Sequence, residues 1–380
     1  MKNAGYEIRL VGGFVRDSLL GRAISDIDMA INCTPNITTE IFEKAGYSVI
    51  PTGIAHGTVS VVLDDEVFEI TSLRRDVETD GRCAVVAYTD DWKMDATRRD
   101  FTINALYADA DGLVYDYVNA VSDIENKTLR FVGDGHVRVA EDSLRILRYY
   151  RFMVQLNFTP VNDDCANACT QGAILLKRLS FERVGMEMKK MFSVSSNPTT
   201  VINMMLKAGV LSAVLPFPIK VDLPFMNNPV GQSDDALLKC IALASADFKN
   251  AQTIGSVWKF SNADRRYMRS ILTVYTDRAF VPALLHRFAY YHGRDIVIKA
   301  SMLKVASGVS GYDNVAKVLE QWECPIFPLT GQHLMTLGVE SSPALGALLK
   351  AVEMWWVVNA FNPRMQDCLI FAKQRMNIKR

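Results

Sequence analysis

The sequence SDIDMA at residues 25–30 decides the fold of this chain. We predict a strand there, in which side chains alternate between two faces, so that Asp26 and Asp28 share one face. Ile27 and Met29 share the other face, which can pack on a core. Two neighbouring carboxylates repel each other unless a cation lies between them. Divalent metal ions are the usual cations at such a place, and a metal pair suits the transfer of a phosphate-bearing group.

A glycine turn, VGGFVRD at residues 11–17, precedes the acidic pair and lies between a predicted strand and a predicted helix. Gly12 and Gly13 lack a Cβ, so the backbone can approach a phosphate, and the first N–H groups of the helix point toward it. Arg16 lies one turn into the helix and adds a charged fork. Such a turn can serve chain geometry alone. Close to paired aspartates, it predicts a phosphate site beside a metal site.

Composition describes an ordinary globular protein of 380 residues, with 49% apolar and 22% charged residues. Net charge is zero, so any binding site for an anionic polymer must come from locally clustered basic residues. The seven cysteines form no pattern of zinc ligands. No signal peptide and no membrane-spanning segment is evident. We expect a cytoplasmic location, with the mitochondrial matrix as the less expected one because no transit peptide is visible.

Secondary structure changes along the chain, which predicts an α+β fold. The first third alternates short β-rich runs with turns, and long helical periods follow from about residue 133. Strands are predicted over residues 8–11, 26–31, 58–63 and 67–73. Helices are predicted over 14–20, 38–45 (with Thr38 or Thr39 as N-cap), 139–154, 181–192 and 201–211. Residues 76–91 show no clear period.

The sequence RRDFTIN at residues 98–104 is a second cluster of candidate ligands. Asp100 or Asn104 can hydrogen-bond a ribose hydroxyl, and the two arginines can meet phosphates. A charged helix start is the alternative reading.

A third cluster, EDSLRILR at residues 141–148, places Asp142 three residues before Arg145, so we expect the two side chains to share a helix face. A carboxylate only accepts hydrogen bonds and a guanidinium only donates them. Side by side they complement an exocyclic amine next to a ring-nitrogen acceptor, as in cytosine and adenine. Guanine and uracil present the opposite polarity. An internal salt bridge is the commoner use of such a pair.

The glycine turn, Asp-x-Asp, Arg-Arg-Asp and Glu-Asp-x-x-Arg, in this order and spacing, resemble the class II tRNA nucleotidyltransferases (CCA-adding enzymes) of bacterial type, in the polymerase-β-like superfamily. The resemblance continues through LSFER at 179–183 and FPLTGQHL at 327–334. It implies a mixed-sheet nucleotidyltransferase head at 1–133, a helical neck at 134–215, a helical body at 216–323 and a helical tail at 324–380.

The resemblance also implies roles for residues of this chain. Two catalytic Mg²⁺ ions would be bound by Asp26 and Asp28, with Glu69 as a third candidate ligand. Phosphates would be bound by Gly12, Gly13, Arg16 and Arg99, the ribose by Asp100 and Asn104, and the base would be read by Asp142, Arg145 and Arg148. The partners would be the tRNA 3′ end, CTP and ATP; no protein partner is implied.

The loop RDVETDGR at residues 75–82 is long, as in members that add the complete CCA, and its flexible-loop residues would be Asp76, Asp80, Gly81 and Arg82. The leading hypothesis is template-independent addition of C, C and A by two-metal-ion nucleotidyl transfer with release of pyrophosphate. A poly(A) polymerase or a CC-only or A-only enzyme is the alternative within the class. A catalytically silent RNA-binding protein is the alternative of another class. The head–neck segment 116–123 lacks the glycines common in relatives.

Overall fold

The computed structural model describes residues 4–24, 27–50, 53–54, 57–64, 66–80, 83–160, 163–218, 226 and 228–377, without the side chains of 76–80, 83–86 and 377. The predicted α+β class is confirmed, because a mixed sheet with helices is followed by a largely helical remainder. The chain forms two compact units. One holds most of the chain up to Asp222, and the other holds most of the chain from Ser261 onward.

The strands of the described residues all lie in the first unit. They are β1 (Ile8–Val11), β2 (Asp28–Ile31), β3 (Ser48–Ile50), β4 (Thr58–Leu63), β5 (Glu66–Ser72), β6 (Arg74–Asp80), β7 (Cys83–Tyr88), β8 (Leu106–Ala108), β9 (Val114–Asp116), β10 (Thr128–Leu129) and β11 (Thr159–Pro160). Seven of them form one sheet in the order β3-β4-β5-β2-β1-β8-β9. Only its β2–β5 pair is parallel. Strands β6 and β7 form a separate antiparallel hairpin.

The α-helices cover the sheet and build the rest of the chain. They are α1 (Gly13–Leu19), α2 (Pro35–Lys44), α3 (Trp92–Thr97), α4 (Ala120–Glu125), α5 (Gly135–Glu141), α6 (Leu144–Leu156), α7 (Asp163–Gly172), α8 (Phe181–Phe192), α9 (Thr199–Lys207), α10 (Val210–Val214), α11 (Ala236–Leu243), α12 (Phe248–Val257), α13 (Asn262–Thr276), α14 (Leu285–His292), α15 (Arg294–Ala306), α16 (Val315–Glu320), α17 (Gly331–Met335), α18 (Pro343–Val358) and α19 (Met365–Asn377).

Strand β2 contributes to a core on each of its faces. Ala30 belongs to a buried cluster with Trp92 and Tyr107, whereas Ile31 packs with Ile70 in a second cluster. The prediction that Ile27 packs on a core is wrong. Its side chain is 39% exposed and precedes the strand, because regular pairing with β5 begins one residue later.

Helix boundaries differ from the sequence-based prediction where local chemistry starts or breaks a helix. Helix α2 begins at Pro35, three residues before the predicted N-cap, because proline is pre-organised for the first helical turn. The helix predicted over 139–154 is two helices. Asp142 between them has extended backbone angles (φ −147°, ψ 105°), and its side chain accepts the Leu144 N–H. Gly209, with φ 72°, likewise separates α9 from α10.

The glycine-poor segment 116–123 reaches its turn without glycine. Asn119 adopts φ 61° and ψ 36°, a left-handed conformation that asparagine tolerates better than most residues. The Asp116 carboxylate accepts hydrogen bonds from the backbone N–H groups of Val118, Ala120 and Val121. Asn119 provides the left-handed backbone and Asp116 accepts the backbone N–H groups, so the turn forms without glycine.

The second unit is helical. Helices α17, α18 and α19 form a buried hydrophobic cluster that includes Leu334, Val352 and Trp356. Among the helices in the described part of the chain, none has both the length and the apolar character needed to cross a membrane.

Candidate active site

A cleft of about 550 Å³ opens in the first unit beside the glycine turn. Residues of the sheet region line it together with residues of α6. Eight residues predicted from separate motifs lie in its wall: Gly12, Gly13, Arg16, Asp28, Arg99, Asp100, Asn104 and Arg148. The fold thus brings together residues that are far apart in the sequence, such as Gly12 and Arg148.

The glycine turn has a geometry that needs glycine. Gly12 adopts φ 70° and ψ −122°, a region that L side chains rarely enter. A Cβ on Gly12 would lie 3.6 Å from the Asn104 carbonyl oxygen and 3.8 Å from Arg99 Nη1. Helix α1 begins at Gly13, so its first backbone N–H groups lie at the cleft.

Arg16 is held from two sides. Its Nε and Nη2 donate to the Asp17 carboxylate at 3.0 and 2.7 Å, and its Nη1 donates to Asn104 Oδ1 at 2.5 Å. Asn104 Nδ2 in turn donates to Asp100 Oδ1 at 3.3 Å. The predicted phosphate fork and the predicted ribose ligands are therefore parts of one hydrogen-bonded chain.

Asp100 and Arg148 form an ion pair across the cleft wall. Asp100 Oδ2 accepts from Arg148 Nε at 2.6 Å and lies 2.5 Å from Nη2. Burial alone would raise the pKa of Asp100, but Arg148 and the Asn104 hydrogen bond outweigh it, and the pKa is lowered. The pKa of Arg148 is raised, since the pairing with Asp100 outweighs the effect of burial.

The candidate metal ligands meet on two neighbouring strands. Asp28 on β2 is in register with Glu69 on β5, and both side chains are exposed. Asp26 lies outside the described residues. Within those residues, no three His, Cys, Asp or Glu side chains form a cluster suited to a metal ion. The two carboxylates in register nevertheless fit the donor chemistry of Mg²⁺, which prefers oxygen ligands.

The prediction that Asp142 and Arg145 share a helix face is wrong, because Asp142 lies between α5 and α6. Because the helix breaks at Asp142, its Oδ2 accepts from Arg183 Nη2 of α8 at 2.8 Å. Arg145 Nη1 donates instead to Glu141 Oε2 at 2.5 Å and to the Arg138 carbonyl oxygen at 3.0 Å. Each predicted base-reading group thus has its own partner of opposite charge.

Phe152 is a residue of the cleft that sequence reasoning missed. The guanidinium carbons of Arg151, Arg16 and Arg148 lie 4.3, 5.2 and 5.7 Å from the centre of its ring. An aromatic face at these distances attracts cations. Phe152 therefore supports the three arginines, and no sequence signal distinguishes it from an ordinary core phenylalanine.

Asp95 was also missed. It is the carboxylate to which both Arg98 and Arg99 bind. Its spacing of three and four residues from these arginines is the helical pairing signal that could have revealed it.

The stretch predicted to lack a regular period is instead the β6–β7 hairpin followed by α3. Asp76 and Asp80 belong to β6, and their side chains are not described. Gly81 and Arg82 lie outside the described residues. The sequence interpretation missed this hairpin, which forms a two-stranded sheet of its own among the described residues.

Comparison with known proteins identifies the family. The Poly A polymerase head domain matches residues 8–130, and the Probable RNA and SrmB- binding site of polymerase A matches residues 160–219. The mitochondrial CCA tRNA nucleotidyltransferase 1 of Mus musculus is 31% identical over 97% of this chain and 87% of its own length. The CCA-adding enzyme of Levilactobacillus brevis is 32% identical over 98% of this chain and 94% of its own length.

Solved structures support the fold. The crystal structure of the Bacillus stearothermophilus CCA-adding enzyme in complex with CTP has a TM-score of 0.79 at 24% identity, covering 100% of this chain and 96% of that chain. The Thermotoga maritima CCA-adding enzyme complexed with tRNA has a TM-score of 0.67 at 18% identity, covering 99% of this chain and 92% of that chain. With relatives above 30% identity over nearly its whole length, this chain belongs to the class II tRNA nucleotidyltransferases, the CCA-adding enzyme family.

Proposed function

We propose that this enzyme adds C, C and A, from CTP and ATP, to the 3′ end of tRNA without a nucleic-acid template. The observation that carries the proposal is the cleft that combines the glycine turn, Asp28, Arg99 and Arg148 in a chain of this family. In the reaction the 3′ oxygen of tRNA forms a bond to the α-phosphorus. The bond from that phosphorus to the pyrophosphate oxygen breaks, and pyrophosphate leaves.

Nucleotidyltransferases of this family use divalent metal ions, and we propose two Mg²⁺ ions here. Asp28, Glu69 and Asp26 would hold them, Asp26 being outside the described residues. When bound, such ions lower the pKa of the attacking hydroxyl and neutralise the triphosphate. The carboxylates would orient these ions. The cleft is lined by more basic than acidic side chains, which favours a polyanionic nucleotide.

The rest of the cleft would bind the nucleotide. The backbone N–H groups after Gly12 and Gly13 would face a phosphate of the nucleotide. That phosphate can come close to the backbone because glycine has no Cβ. Arg99 supplies a fork for the same phosphates, and Arg16 does so if it exchanges Asp17 for the phosphate. Asp100 and Asn104 would bind the ribose, since their hydrogen-bonded pair presents a carboxylate acceptor and an amide donor at the cleft.

Base selection would come from α6 and the break before it. Asp142 supplies an acceptor for an exocyclic amine, and Arg145 supplies donors for the neighbouring ring nitrogen. Arg148, one turn further along α6, lines the cleft, whereas Asp142 and Arg145 do not. Arg148 would contact the base or triphosphate. Asp142 and Arg145 now pair with Arg183 and Glu141, so base reading requires that these partners share or release them.

We further propose the division into a head at 1–133, a neck at 134–215, a body at 216–323 and a tail at 324–380. Its support is the position of the two matched family models, one before and one after residue 133. The helical segments after the head would bind tRNA. We place the protein in the cytoplasm.

The decisive experiment offers the purified protein three tRNA substrates: one lacking all of CCA, one ending in the first C and one ending in the second C. Each is incubated with each of the four nucleoside triphosphates separately. The proposal expects C on the first two substrates, A on the third, and no extension beyond A. Extended A tracts would instead identify a poly(A) polymerase, which the description of the matched head domain favours as the second candidate. No incorporation at all would refute both.

A further inference from the structure

The carboxylate of Asp95, a residue outside the predicted site, accepts an unusually large number of hydrogen bonds. Asp95 of α3 is only 1% exposed. Its Oδ1 accepts from Arg98 Nε and Nη2 at 2.8 and 2.5 Å. Its Oδ2 accepts from Arg99 Nε and Nη2 at 3.1 and 2.9 Å, and from the Tyr107 hydroxyl at 2.6 Å. Two successive arginines are thereby held on the two oxygens of one buried side chain.

The environment of Asp95 favours its ionised form. Burial alone would raise the pKa of Asp95, but Arg99, Arg98 and the Tyr107 hydrogen bond outweigh it and lower the pKa to about 2. Burial would likewise lower the pKa of Arg99, and Asp95 more than reverses this. Without that negative charge, two arginines would lie side by side in a largely buried place with their charges uncompensated.

Asp95 also sets how Arg99 faces the cleft. The hydrogen bonds to Asp95 use Nε and Nη2, one edge of the planar guanidinium. The remaining nitrogen, Nη1, lies 3.8 Å from the position that a Cβ of Gly12 would occupy. A guanidinium bound along one edge has a fixed plane. Asp95 therefore aims the free edge of Arg99 at the glycine turn.

The same carboxylate reaches the base of the β6–β7 hairpin. The Arg74 N–H, at the first residue of β6, donates to Asp95 Oδ1 at 3.3 Å. The Arg74 carbonyl oxygen accepts from Arg98 Nε at 3.0 Å. Arg74 is paired with Tyr88, which closes the hairpin. The hairpin base and the arginine at the cleft are thus joined through a single buried side chain.

We propose that Asp95 is a positioning residue that aims Arg99 at the nucleotide phosphates and fixes the base of the β6–β7 hairpin relative to Arg99. The proposal rests on the proposed function, since it takes Arg99 as a phosphate ligand. It assigns Asp95 no contact with the substrate.

The test compares Asp95→Asn with Tyr107→Phe, which removes the hydroxyl that donates to Asp95 and accepts from Arg99 Nε but keeps both ion pairs between Asp95 and the arginines. KM and kcat are measured for CTP and ATP addition, and CTP affinity is measured without tRNA. We expect Asp95→Asn to raise KM for both nucleotides about tenfold and to weaken CTP binding by a similar factor. Tyr107→Phe should change KM less than about threefold, because both charged pairs that orient Arg99 and Arg98 remain.

Hydrogen exchange of residues 74–88 tests the connection to the hairpin. Exchange should accelerate in Asp95→Asn. It should also accelerate in Arg98→Gln, which loses the bond to the Arg74 carbonyl but keeps the Asp95–Arg99 pair, so that CTP affinity stays within about threefold. Unchanged exchange in both variants would disprove the connection.

If Asp95 had a merely structural role, Asp95→Asn would only reduce the number of folded molecules. The apparent kcat would then fall equally for both nucleotides, and KM would stay unchanged. That result would overturn the proposal. If Asp95→Asn does not fold, Asp95→Glu keeps the charge but displaces Arg99 by one methylene, and an unchanged KM there would also overturn it. If the wild-type protein adds no nucleotide to tRNA, the proposed function fails on its own, while hydrogen exchange and CTP binding still decide the role of Asp95.

Discussion

Asp28 on β2 lies directly beside Glu69 on β5, in the one parallel pair of the seven-stranded sheet. Residues in register on neighbouring strands project to the same face, so the two carboxylates point the same way. On that face the next β2 residue, Ala30, is buried in a core cluster. On β2, the exposed carboxylate of this face thus lies at the strand end that borders the cleft.

We expect Asp28→Ala to abolish nucleotide addition and to leave folding nearly intact, and Asp26→Ala to do the same. Each change removes a ligand oxygen but relieves repulsion between carboxylates when no cation is bound. Turnover with Mg²⁺ and the midpoint of thermal unfolding are the measurements. Activity above a few percent of wild type in either variant would contradict the two-metal assignment.

Glu69→Gln tests the third candidate ligand. It keeps the size of the side chain and removes its charge, so we expect turnover to fall and the Mg²⁺ concentration for half-maximal rate to rise. Glu66→Gln is the matched control, because Glu66 is an exposed carboxylate at the first residue of β5, three residues before Glu69. If both variants respond alike to Mg²⁺, Glu69 is no ligand.

Shortening the hairpin should separate the two kinds of addition. Deleting residues 76–82 leaves residues 83–86 to connect Arg75 to Ala87, which are paired in the native hairpin. We expect C addition to persist and the final A addition to fail, because one protein template must change its fit between a pyrimidine and a larger purine, which needs a movable element. Rates on tRNA lacking CCA and on tRNA ending in the second C are compared. Equal loss of both steps would indicate a folding role.

Base selection should depend on Asp142 and Arg145. Asp142→Ala removes the acceptor and Arg145→Ala the donors, so preference for CTP over UTP should fall about tenfold to hundredfold, as for a lost pairing of roughly 1–3 kcal/mol. Competitive incorporation on tRNA lacking its 3′ end measures this. Glu141→Gln and Arg183→Gln remove only the partners and serve as controls. Unchanged selectivity in Asp142→Ala and Arg145→Ala would leave these residues as salt-bridge members only.

Asp95 should make stability depend on pH at the acid end. Its pKa is lowered in the folded protein, so its contribution is complete above the ordinary value of 3.8 and is lost as pH falls toward about 2. The difference corresponds to about 2 kcal/mol. Wild type should therefore exceed Asp95→Asn in unfolding free energy by at least that much at pH 7, and the gap should narrow below about pH 4. Denaturant unfolding at several pH values measures it, and a gap independent of pH would contradict the prediction.

Local chemistry in the sequence was sufficient to place many of these residues in the site. Gly12 and Gly13 of the glycine turn, Arg99 and Asp100 of the Arg-Arg-Asp cluster, and Arg148 were predicted as ligands separately, and all line one cleft, whereas Arg98 does not. Their roles toward the nucleotide stay predictions. The helix break at Asp142 was not predicted, because the hydrophobic period continues through it and only the hydrogen bond to Leu144 reveals the interruption.

The sequence by itself determined the α+β class, the family and the residue types at the cleft, because motif order, helical period and strand alternation are local properties of the chain. Tertiary structure alone decided which charged groups meet. Asp142 binds Arg183 and Arg145 binds Glu141, although spacing suggested that Asp142 and Arg145 bind each other. Asp95 became the common partner of Arg98 and Arg99. A charged group is stabilised most by the opposite charge that lies closest to it, and the packing of the fold decides which one that is. The distance between two charged groups does not follow from their separation in the sequence.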